Sequence, residues 1–324
     1  MRAVQLHEFG GPDVLKAVET DAPEPGPGQV AIDVAYIGVN FADLKARAEG
    51  YRVPGLPFVP GLEVSGRVRA AGAGIEGLRV GQEVAALTAG GAYAEVALAE
   101  ATTTFPLPAG VDPRTGATLP TVLPTAHALL HEAGRLRAGE TVLVQGAAGG
   151  IGTVAGQLAK AAGARVFGVV SSAAKAEYAR KHGYDEVFVG DGFAAAARAA
   201  TGGRGVDLAL DPVGGDTFRA SLEALAVFGR LVSFGNASSA QPWQVGQAEL
   251  YPGARSVTGF SILSLAQTDP LILREVAERA FRAVADGTVT LPVTAEFALE
   301  EAAKAHELMG GRATTGKLLL RVSP

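Results

Sequence analysis

Hydrophobic and polar positions alternate along the N-terminal part of the chain. In the segment Gln29–Val39, valine or isoleucine occupies every second position from Val30 to Val34. A period of two is typical of a strand with one buried face. Similar runs, separated by turn residues, predict strands at Met1–Leu6, Glu63–Ala70, Glu83–Leu87 and Ala92–Leu98. The first part of the chain is therefore predicted to be rich in β-structure.

The pattern changes near Leu119, where short apolar runs begin to alternate with segments of helical period. The predicted strands are Thr141–Gln145, Arg165–Val170, Glu186–Val189, Val206–Asp211 and Gly229–Phe234. The predicted helices are Thr125–Gly134, Gly150–Ala162, Ala174–His182, Phe193–Thr201 and Thr217–Leu225. Farther on, the pattern predicts helices at Leu271–Asp286 and Glu300–Met309 and a strand at Lys317–Val322. Regular alternation predicts an α/β fold with a parallel sheet that helices cover on both faces.

Composition narrows the class of protein. The 324 residues suit about two domains, and 48% hydrophobic with 19% charged residues excludes a disordered chain. The net charge of -5, with no basic stripe, argues against nucleic-acid binding. No apolar run reaches the roughly 18 residues of a membrane span, and the N-terminus lacks the apolar core of a signal peptide. We expect a cytoplasmic protein without disulfides, because cysteine is absent.

The strand predicted at Thr141–Gln145 runs directly into a glycine-rich turn and then a helix. Ala147, Gly149 and Gly152 have the spacing of the dinucleotide fingerprint, with alanine at its first position. Small residues let the backbone approach a pyrophosphate, which the helix N-terminus binds. An ordinary strand–helix turn is the alternative, and the strands on both sides favour the fingerprint. The predicted pyrophosphate-binding residues are Ala147, Gly149, Gly150, Ile151 and Gly152.

The end of the next strand bears on cofactor choice. NAD enzymes usually place an acid about 20 residues beyond the fingerprint to bind the ribose hydroxyls. The segment Val169–Lys175 contains no acid and offers Ser171 and Lys175 instead. Hydroxyl and ammonium groups suit a 2′-phosphate, so the sequence predicts NADPH, although Lys175 and Arg180 are also consistent with plain surface positions.

Further motifs occur in a characteristic order along the chain. They are GVNFAD at 38–43, LPFVPGLEVSG at 56–66, DPVGG at 211–215, GRLVSFGN at 229–236 and RATTGK at 312–317. Together with the glycine turn, they resemble the zinc-free quinone oxidoreductase (zeta-crystallin-like) branch of the medium-chain dehydrogenase/reductases over nearly the whole chain. The resemblance implies a GroES-like catalytic domain from residues 1–120 and 262–324. A Rossmann NADPH-binding domain, residues 121–261, is inserted in it, with nicotinamide and substrate in a cleft between the two.

The resemblance also implies that no metal takes part. Zinc-dependent relatives carry a cysteine where this chain has Asn40, a histidine where it has Leu62, and a four-cysteine lobe that is absent here. A catalytic zinc needs about three protein ligands. His127 and His131, spaced for one helical face, remain as a candidate pair, but two histidines without a third ligand are more often surface residues.

Without a Lewis acid, hydride transfer to a conjugated acceptor is easier than ketone reduction, because charge spreads onto a carbonyl oxygen that hydrogen bonds can stabilise. We therefore expect an NADPH:quinone reductase. An enoyl or alkenal reductase is the alternative within the enzyme class, since polyketide-type enoyl reductases resemble this chain too. A basic cleft mouth would favour acyl carriers, and Lys45, Arg47 and Arg52 keep that option open. A non-catalytic NADPH-binding redox sensor or crystallin-like protein is the alternative outside it.

The resemblance supplies the remaining site residues. It places Asn40, Tyr51 and Thr125 at the substrate and nicotinamide, and adds Asn236, Phe260, Lys175 and Arg312 along the cofactor. Asn40 is expected to bind either the cofactor ribose or the substrate carbonyl. Tyr51 also fits an aromatic loop cap, and Thr125 a helix cap. Some relatives hold the 2′-phosphate with a tyrosine where this chain has Gly190. A homodimer, paired through an edge strand near Ser256–Ile262, is also expected.

Overall fold

The computed structural model describes residues 1–238 and 241–322. These residues form two compact units. The first unit contains Met1–Val122, Leu265–Ala285 and the chain from Leu291 onward. The second unit contains Leu123–Ser264 and Asp286–Thr290. Among the described residues, no helix is both long enough and apolar enough to cross a bilayer.

Strands and helices account for most of both units. The strands are β1 (Arg2–Gln5), β2 (Lys16–Glu19), β3 (Gln29–Val39), β4 (Glu63–Ala71), β5 (Glu83–Leu87), β6 (Val96–Glu100), β7 (Thr104–Pro106), β8 (Thr141–Gln145), β9 (Arg165–Val170), β10 (Glu186–Val189), β11 (Val206–Asp211), β12 (Leu225–Ser233), β13 (Ser256–Gly259), β14 (Val293–Ala298) and β15 (Lys317–Arg321). The α-helices are α1 (Phe41–Glu49), α2 (Pro113–Gly116), α3 (Val122–His127), α4 (Gly150–Ala161), α5 (Ala173–Arg180), α6 (Phe193–Ala200), α7 (Gly215–Glu223), α8 (Gln247–Leu250), α9 (Ile262–Thr268), α10 (Pro270–Ala285) and α11 (Ala302–Gly310). Short 3₁₀ segments occur at Pro12–Val14, Ala101–Thr103, Tyr251–Gly253 and Leu299–Glu301.

The first unit is built on a mostly antiparallel sheet. Its strand order is β14-β15-β3-β4-β5-β7, with β6 also paired to β3 and β1-β2 forming a separate ribbon. Only the β14–β15 pair in this sheet is parallel. The alternating residues Val30, Ile32 and Val34 enter one continuous apolar core with Val64 and Leu320. Their burial explains the period of two in the sequence, because alternate side chains on a strand point to opposite faces.

The second unit contains a six-stranded sheet in which every pair is parallel, in the order β10-β9-β8-β11-β12-β13. The chain winds outward from β8 through β9 to β10, then returns to β11 on the other side of β8. Strand order reverses between β8 and β11, and ligands of such sheets bind at the carboxyl ends of the strands beside this point. The predicted parallel sheet is confirmed. The middle of each central strand is apolar and buried, because both faces are covered.

Several predicted elements are corrected by the structure. The strand expected at Ala92–Leu98 starts and ends later: β6 occupies Val96–Glu100. The fully buried Tyr93 precedes it, next to an isolated β-bridge between Ala94 and Ala3. The helix expected at Thr125–Gly134 starts earlier, as α3, and continues as a π-helical segment, Ala128–Ala133. Apolar alternation reports burial, not hydrogen bonding, so it does not locate where a strand begins. Helices α1, α2, α8 and α9 and strands β2, β7 and β14 were not predicted.

Candidate functional site

The glycine turn between β8 and α4 has the conformation that its composition predicts. Gly146 has a φ of 65°, and its carbonyl accepts a hydrogen bond of 2.9 Å from the Gly149 amide. Gly149 is the N-cap of α4, in an extended conformation. The amides of the first helical turn have no partner inside a helix, and a glycine cap offers no side chain to accept from them. These amides are therefore available to an anionic ligand.

Close packing makes glycine necessary at the third position of the fingerprint. A Cβ on Gly152 would clash with the Gly146 carbonyl oxygen and would lie 2.7 Å from the Ala147 Cα. The Gly152 carbonyl accepts a hydrogen bond of 2.6 Å from the buried Tyr184 hydroxyl. Ala147 itself is fully buried. The turn is therefore held from both sides, in the shape that a pyrophosphate site requires.

The turn after β11 lies beside the glycine turn. A Cβ on Gly146 would be 3.8 Å from the Pro212 side chain. The Asp211 carboxylate accepts hydrogen bonds from the amides of Val213, at 2.6 Å, and Gly214, at 3.1 Å. Burial raises the pKa of Asp211. Asp211 therefore shapes this turn, and the ends of the two strands that flank the reversal point are adjacent.

Two predicted cofactor residues lie at the carboxyl ends of the following strands. Asn236 donates its side-chain amide to the Gln241 carbonyl at 2.8 Å, and a Cβ on Gly214 would clash with its Oδ1. Phe260 is half-buried, and its amide donates to the Ser233 carbonyl at 2.9 Å. Both residues are thus at the sheet edge that carries the glycine turn.

Ser171 and Lys175 follow β9, the strand next to β8. Ser171 is exposed, while its neighbour Ser172 is the N-cap of α5 and accepts from the Lys175 amide at 3.4 Å. Lys175 lies in the first turn of α5 and is half-buried. The structure therefore places a serine and a lysine just beyond the end of β9. The described Val169–Lys175 segment provides no carboxylate there.

Thr125 lies within α3 and does not cap it. Its side chain is 3% exposed, and its Oγ1 is buried without a hydrogen-bond partner among the residues that the structure describes. A buried hydroxyl without a partner is costly. The Thr125 hydroxyl is therefore a candidate partner for a polar group of a ligand.

The Asn40 side chain belongs to a buried network in the first unit. Its Nδ2 donates to Glu63 Oε1 at 2.8 Å and to the Gly38 carbonyl at 3.3 Å. Its Oδ1 accepts from Lys317 Nζ at 2.7 Å. Lysine only donates and a carboxylate only accepts, so the two partners determine the orientation of the amide. Both Nδ2 hydrogens are engaged, and Asn40 retains acceptor capacity at Oδ1.

An ion pair between Glu63 and Lys317 anchors this network. The two side chains are 0% and 3% exposed. The second Glu63 oxygen accepts from the Thr121 amide at 2.8 Å. A Cβ on Gly38 would clash with Glu63 Oε1 and with the Ala117 carbonyl oxygen, so only glycine there admits the carboxylate. Glu63 and Lys317 are functional candidates that the sequence analysis missed, although both lie in motifs that it singled out.

A second buried cluster adjoins the start of α1. Asp43 accepts from the Asn40 backbone amide at 2.8 Å, so it holds the first turn of the helix. The Tyr93 hydroxyl lies 3.4 Å from the same carboxylate oxygen and 2.9 Å from His306 Nε2. Burial raises the pKa of Asp43 to about 7 and lowers the pKa of His306 to about 3. Because the three side chains come from distant segments, no sequence pattern indicates this cluster.

The remaining predicted residues are at the surface of the first unit. Tyr51 is 40% exposed and follows Gly50, the left-handed C-cap of α1. The Arg52 guanidinium lies 5.8 Å from the centre of its ring. Arg312 is exposed, with a φ of 54°, between α11 and β15. Arg47 lies on the buried face of α1, so it is not one of the basic surface groups that the sequence suggested.

The described residues contain no group of three or more histidine, cysteine, aspartate or glutamate side chains arranged to bind a metal. The His127 and His131 rings are 4.6 Å apart, centre to centre, as their spacing predicts. Metal independence remains a prediction from the sequence.

Comparison of the sequence with known proteins identifies the family of this chain. Residues 26–109 match the family model of the alcohol dehydrogenase GroES-like domain, and residues 150–278 match that of the zinc-binding dehydrogenases. A quinone oxidoreductase of Pseudomonas aeruginosa is 36% identical over 322 residues, which cover 98% of this chain and 99% of that protein. The chain belongs to the quinone oxidoreductase family of the medium-chain dehydrogenase/reductases.

Structure comparison supports the same family. The crystal structure of Escherichia coli quinone oxidoreductase complexed with NADPH matches with a TM-score of 0.93 and 33% identity, covering 99% of this chain and 100% of that one. The predicted α/β fold, with a GroES-like unit and a Rossmann unit, is confirmed. A mycocerosic acid synthase-like polyketide synthase of Mycolicibacterium smegmatis is 32% identical across 97% of this chain, which corresponds to 15% of the synthase. Sequences of this family therefore also occur within much longer proteins.

Proposed function

We propose that this family member is an NADPH-dependent reductase that transfers hydride to a quinone without a metal. The observation that carries the proposal is the glycine turn at the reversal point of the parallel sheet, with Ser171 and Lys175 at the end of the adjacent strand. This arrangement provides amides for a pyrophosphate and a cation for a 2′-phosphate. The likeness to an NADPH-complexed relative over almost the whole chain supports the same cofactor.

Each unit carries residues that the family resemblance assigns to the cofactor. Ala147, Gly149, Gly150, Ile151 and Gly152 would bind the pyrophosphate through the backbone. Lys175 and Arg312 would bind the 2′-phosphate, and Ser171 would add a hydroxyl. Asn236 and Phe260 would line the nicotinamide end, and the unpartnered Thr125 hydroxyl would bond to a polar group there. When bound, NADPH supplies the hydride.

The network around Asn40 supports one of its two expected roles. Both side-chain hydrogens already bond to Glu63 and to the Gly38 carbonyl. Asn40 therefore suits an acceptor for a ribose hydroxyl better than a donor to a substrate carbonyl. The exposed Tyr51 hydroxyl, or water, would supply hydrogen bonds and a proton to the reduced acceptor.

A substrate panel tests the proposal. Consumption of NADPH and of NADH is followed with a series of quinones, 2-alkenals, enones and enoyl thioesters, each with and without a chelator. We expect quinones to be reduced, NADPH to be preferred, and the chelator to have no effect. Loss of activity with chelator, restored by zinc, would contradict the metal-free mechanism.

Reduction of enones or enoyl thioesters in preference to quinones would identify an enoyl or alkenal reductase. The match to a segment of a polyketide synthase favours this second candidate. Binding of NADPH without consumption by any acceptor would instead indicate a redox sensor or a crystallin-like protein.

We also propose a cytoplasmic homodimer. Strand β13 is the last strand of its sheet, and Ser256 and Thr258 on it are exposed. An edge strand with open backbone groups is a template for pairing with a second copy. Light scattering measures the mass in solution. A monomer mass for the parent protein, or a dimer mass for Thr258→Pro, would exclude pairing through β13.

A further inference from the structure

A cavity of about 410 Å³ lies in the second unit, at the edge of the sheet opposite the glycine turn. Its walls include Leu225, the first residue of β12, and Arg255, which immediately precedes β13. The proposed NADPH site, by contrast, uses the carboxyl ends of the strands. Four arginines line the cavity: Arg198, Arg204, Arg219 and Arg255.

Two of these arginines have a carboxylate partner. Arg204 forms two hydrogen bonds to Asp207, at 2.5 and 3.0 Å. Arg219 is paired with Glu249, which also lines the cavity. The charges of these two guanidinium groups are therefore balanced within the protein.

Arg198 and Arg255 are different. Within the described part of the chain, neither has a carboxylate oxygen within 4.0 Å, and both donate to the Leu225 carbonyl, at 3.3 and 3.2 Å. Arg198 also donates to the carbonyls of Gly203, at 2.7 Å, and of Glu223 in the cavity wall, at 3.4 Å. Arg255 Nε is buried and has no hydrogen-bond partner among the described residues. Two guanidinium groups therefore donate to one carbonyl, and the Arg255 Nε–H has no acceptor in the described part of the chain.

Two cations that donate to one carbonyl repel each other, and a carbonyl dipole does not neutralise their charge. A guanidinium presents its N–H groups in a planar fork that matches the oxygens of phosphate or carboxylate. An oxoanion between the two side chains would offset the repulsion and accept hydrogen bonds from their guanidinium groups. The apolar wall residues Leu222, Val227 and Pro252 would contact a short organic group attached to it.

We propose that this cavity binds the phosphate or carboxylate group of a small molecule, at a site separate from the cofactor. The site is independent of the proposed reductase activity, because it uses none of the residues assigned to NADPH or substrate. Its two guanidinium groups supply the positive charge, and its apolar wall residues contact the attached group.

Selenate soaked into crystals tests the site directly, because selenium marks its position by anomalous scattering. We expect selenate between Arg198 and Arg255, displaced by inorganic phosphate. Butyrate and a short-chain phosphomonoester, each competed against selenate, distinguish a carboxylate ligand from a phosphate ligand. Selenate found only elsewhere, or nowhere, would overturn the proposal.

Thermal unfolding in solution tests the site in variants that do not form the same crystals. At constant ionic strength, phosphate in place of chloride should raise Tm by about 3 °C when the site is largely filled. The shift should disappear in Arg255→Gln and in Arg198→Gln. It should persist in the control Arg165→Gln, whose ion pair with Glu186 lies outside the cavity. An equal shift in all four proteins would show general ion binding and refute the site.

Discussion

The glycine turn of the second unit and the Asn40 network of the first unit are both candidate functional regions, but they are built in opposite ways. The turn is made from consecutive residues between β8 and α4, and its chemistry is that of backbone amides. The Asn40 network combines side chains from β3–α1, β4 and β15. A local site of the first kind can be predicted from a short stretch of sequence. A site of the second kind exists only after the first unit has folded.

The energetics of the two regions also differ. The turn depends on the absence of side-chain atoms, so it is sensitive to added volume. The network depends on charges that are almost completely removed from water, so it is sensitive to the loss of one partner. Substitutions in the two regions should therefore fail for different physical reasons, and their effects can be separated.

The largest effect is expected from Glu63→Gln. The change leaves the Lys317 ammonium buried without its counter-charge, which costs about 3–5 kcal/mol of stability. The double variant Glu63→Gln/Lys317→Met should recover a large part of this loss, since it removes both charges. Urea unfolding of the two variants and the parent measures the coupling.

Glu83→Gln is the matched control. Glu83 pairs with Arg67, and both side chains are well exposed, at 37% and 62%. Exposed pairs contribute about 0–1 kcal/mol. Equal losses of unfolding free energy for Glu63→Gln and Glu83→Gln would show that burial does not strengthen the Glu63 ion pair. They would contradict the claim that this pair anchors the Asn40 network.

The next effect concerns pH and the pair Asp43 and His306. The pKa of Asp43 is raised from 3.8 to about 7, so between these values the unfolded chain has already lost the proton. Its contribution to stability therefore falls as pH rises from about 4 to 7, by up to about 4 kcal/mol. The pKa of His306 is lowered from 6.5 to about 3, so its contribution falls as pH decreases through that window.

The two slopes oppose each other in the parent protein over the shared window. Asp43→Asn should unmask the histidine slope, so that stability rises from pH 4 to 6.5. His306→Gln should unmask the aspartate slope, with stability falling over the same range. Urea midpoints measured at several pH values provide the comparison, and parallel curves for the two variants would refute the opposing assignments.

Gly152→Ala tests the backbone site. The added Cβ clashes with the Gly146 carbonyl, so the turn must open and its amides no longer converge on a pyrophosphate. We expect the Kd for NADPH to rise about 100-fold, or about 2.7 kcal/mol. Gly246→Ala, whose Cβ would meet nothing closer than 3.7 Å, is the control in the same unit. Unchanged NADPH affinity in Gly152→Ala would mean that the cofactor does not use this turn.

The same contrast explains which parts of the structure could be predicted from the sequence. Strands β8, β9, β10 and β11 were predicted with their observed bounds, because each is a short apolar run between turn residues. The glycine turn was predicted because its spacing carries a steric requirement. The partners of Asn40 were not, because Glu63 and Lys317 are far from it in the chain and meet it only through β-sheet pairing. Tyr93 and His306 likewise show no local signal, since a buried polar contact leaves no periodicity.

Thr125 offers the smallest but most discriminating test, because one change should have effects of opposite sign. In the protein without cofactor, Thr125→Val removes a buried hydroxyl that has no partner in the described part of the chain, and should raise stability by about 1 kcal/mol. If that hydroxyl bonds to the nicotinamide end of NADPH, the same variant should bind NADPH about 10-fold more weakly.

Thr121→Val is its matched control. The Thr121 hydroxyl is also buried without a partner among the described residues, but it has no assigned role, and the hydrogen bond to Glu63 comes from its backbone. Thermal unfolding without cofactor should show both variants stabilised, while NADPH titration should show a loss only in Thr125→Val. Equal NADPH affinity for the two variants would remove Thr125 from the site and leave the cofactor held by backbone and cationic groups alone.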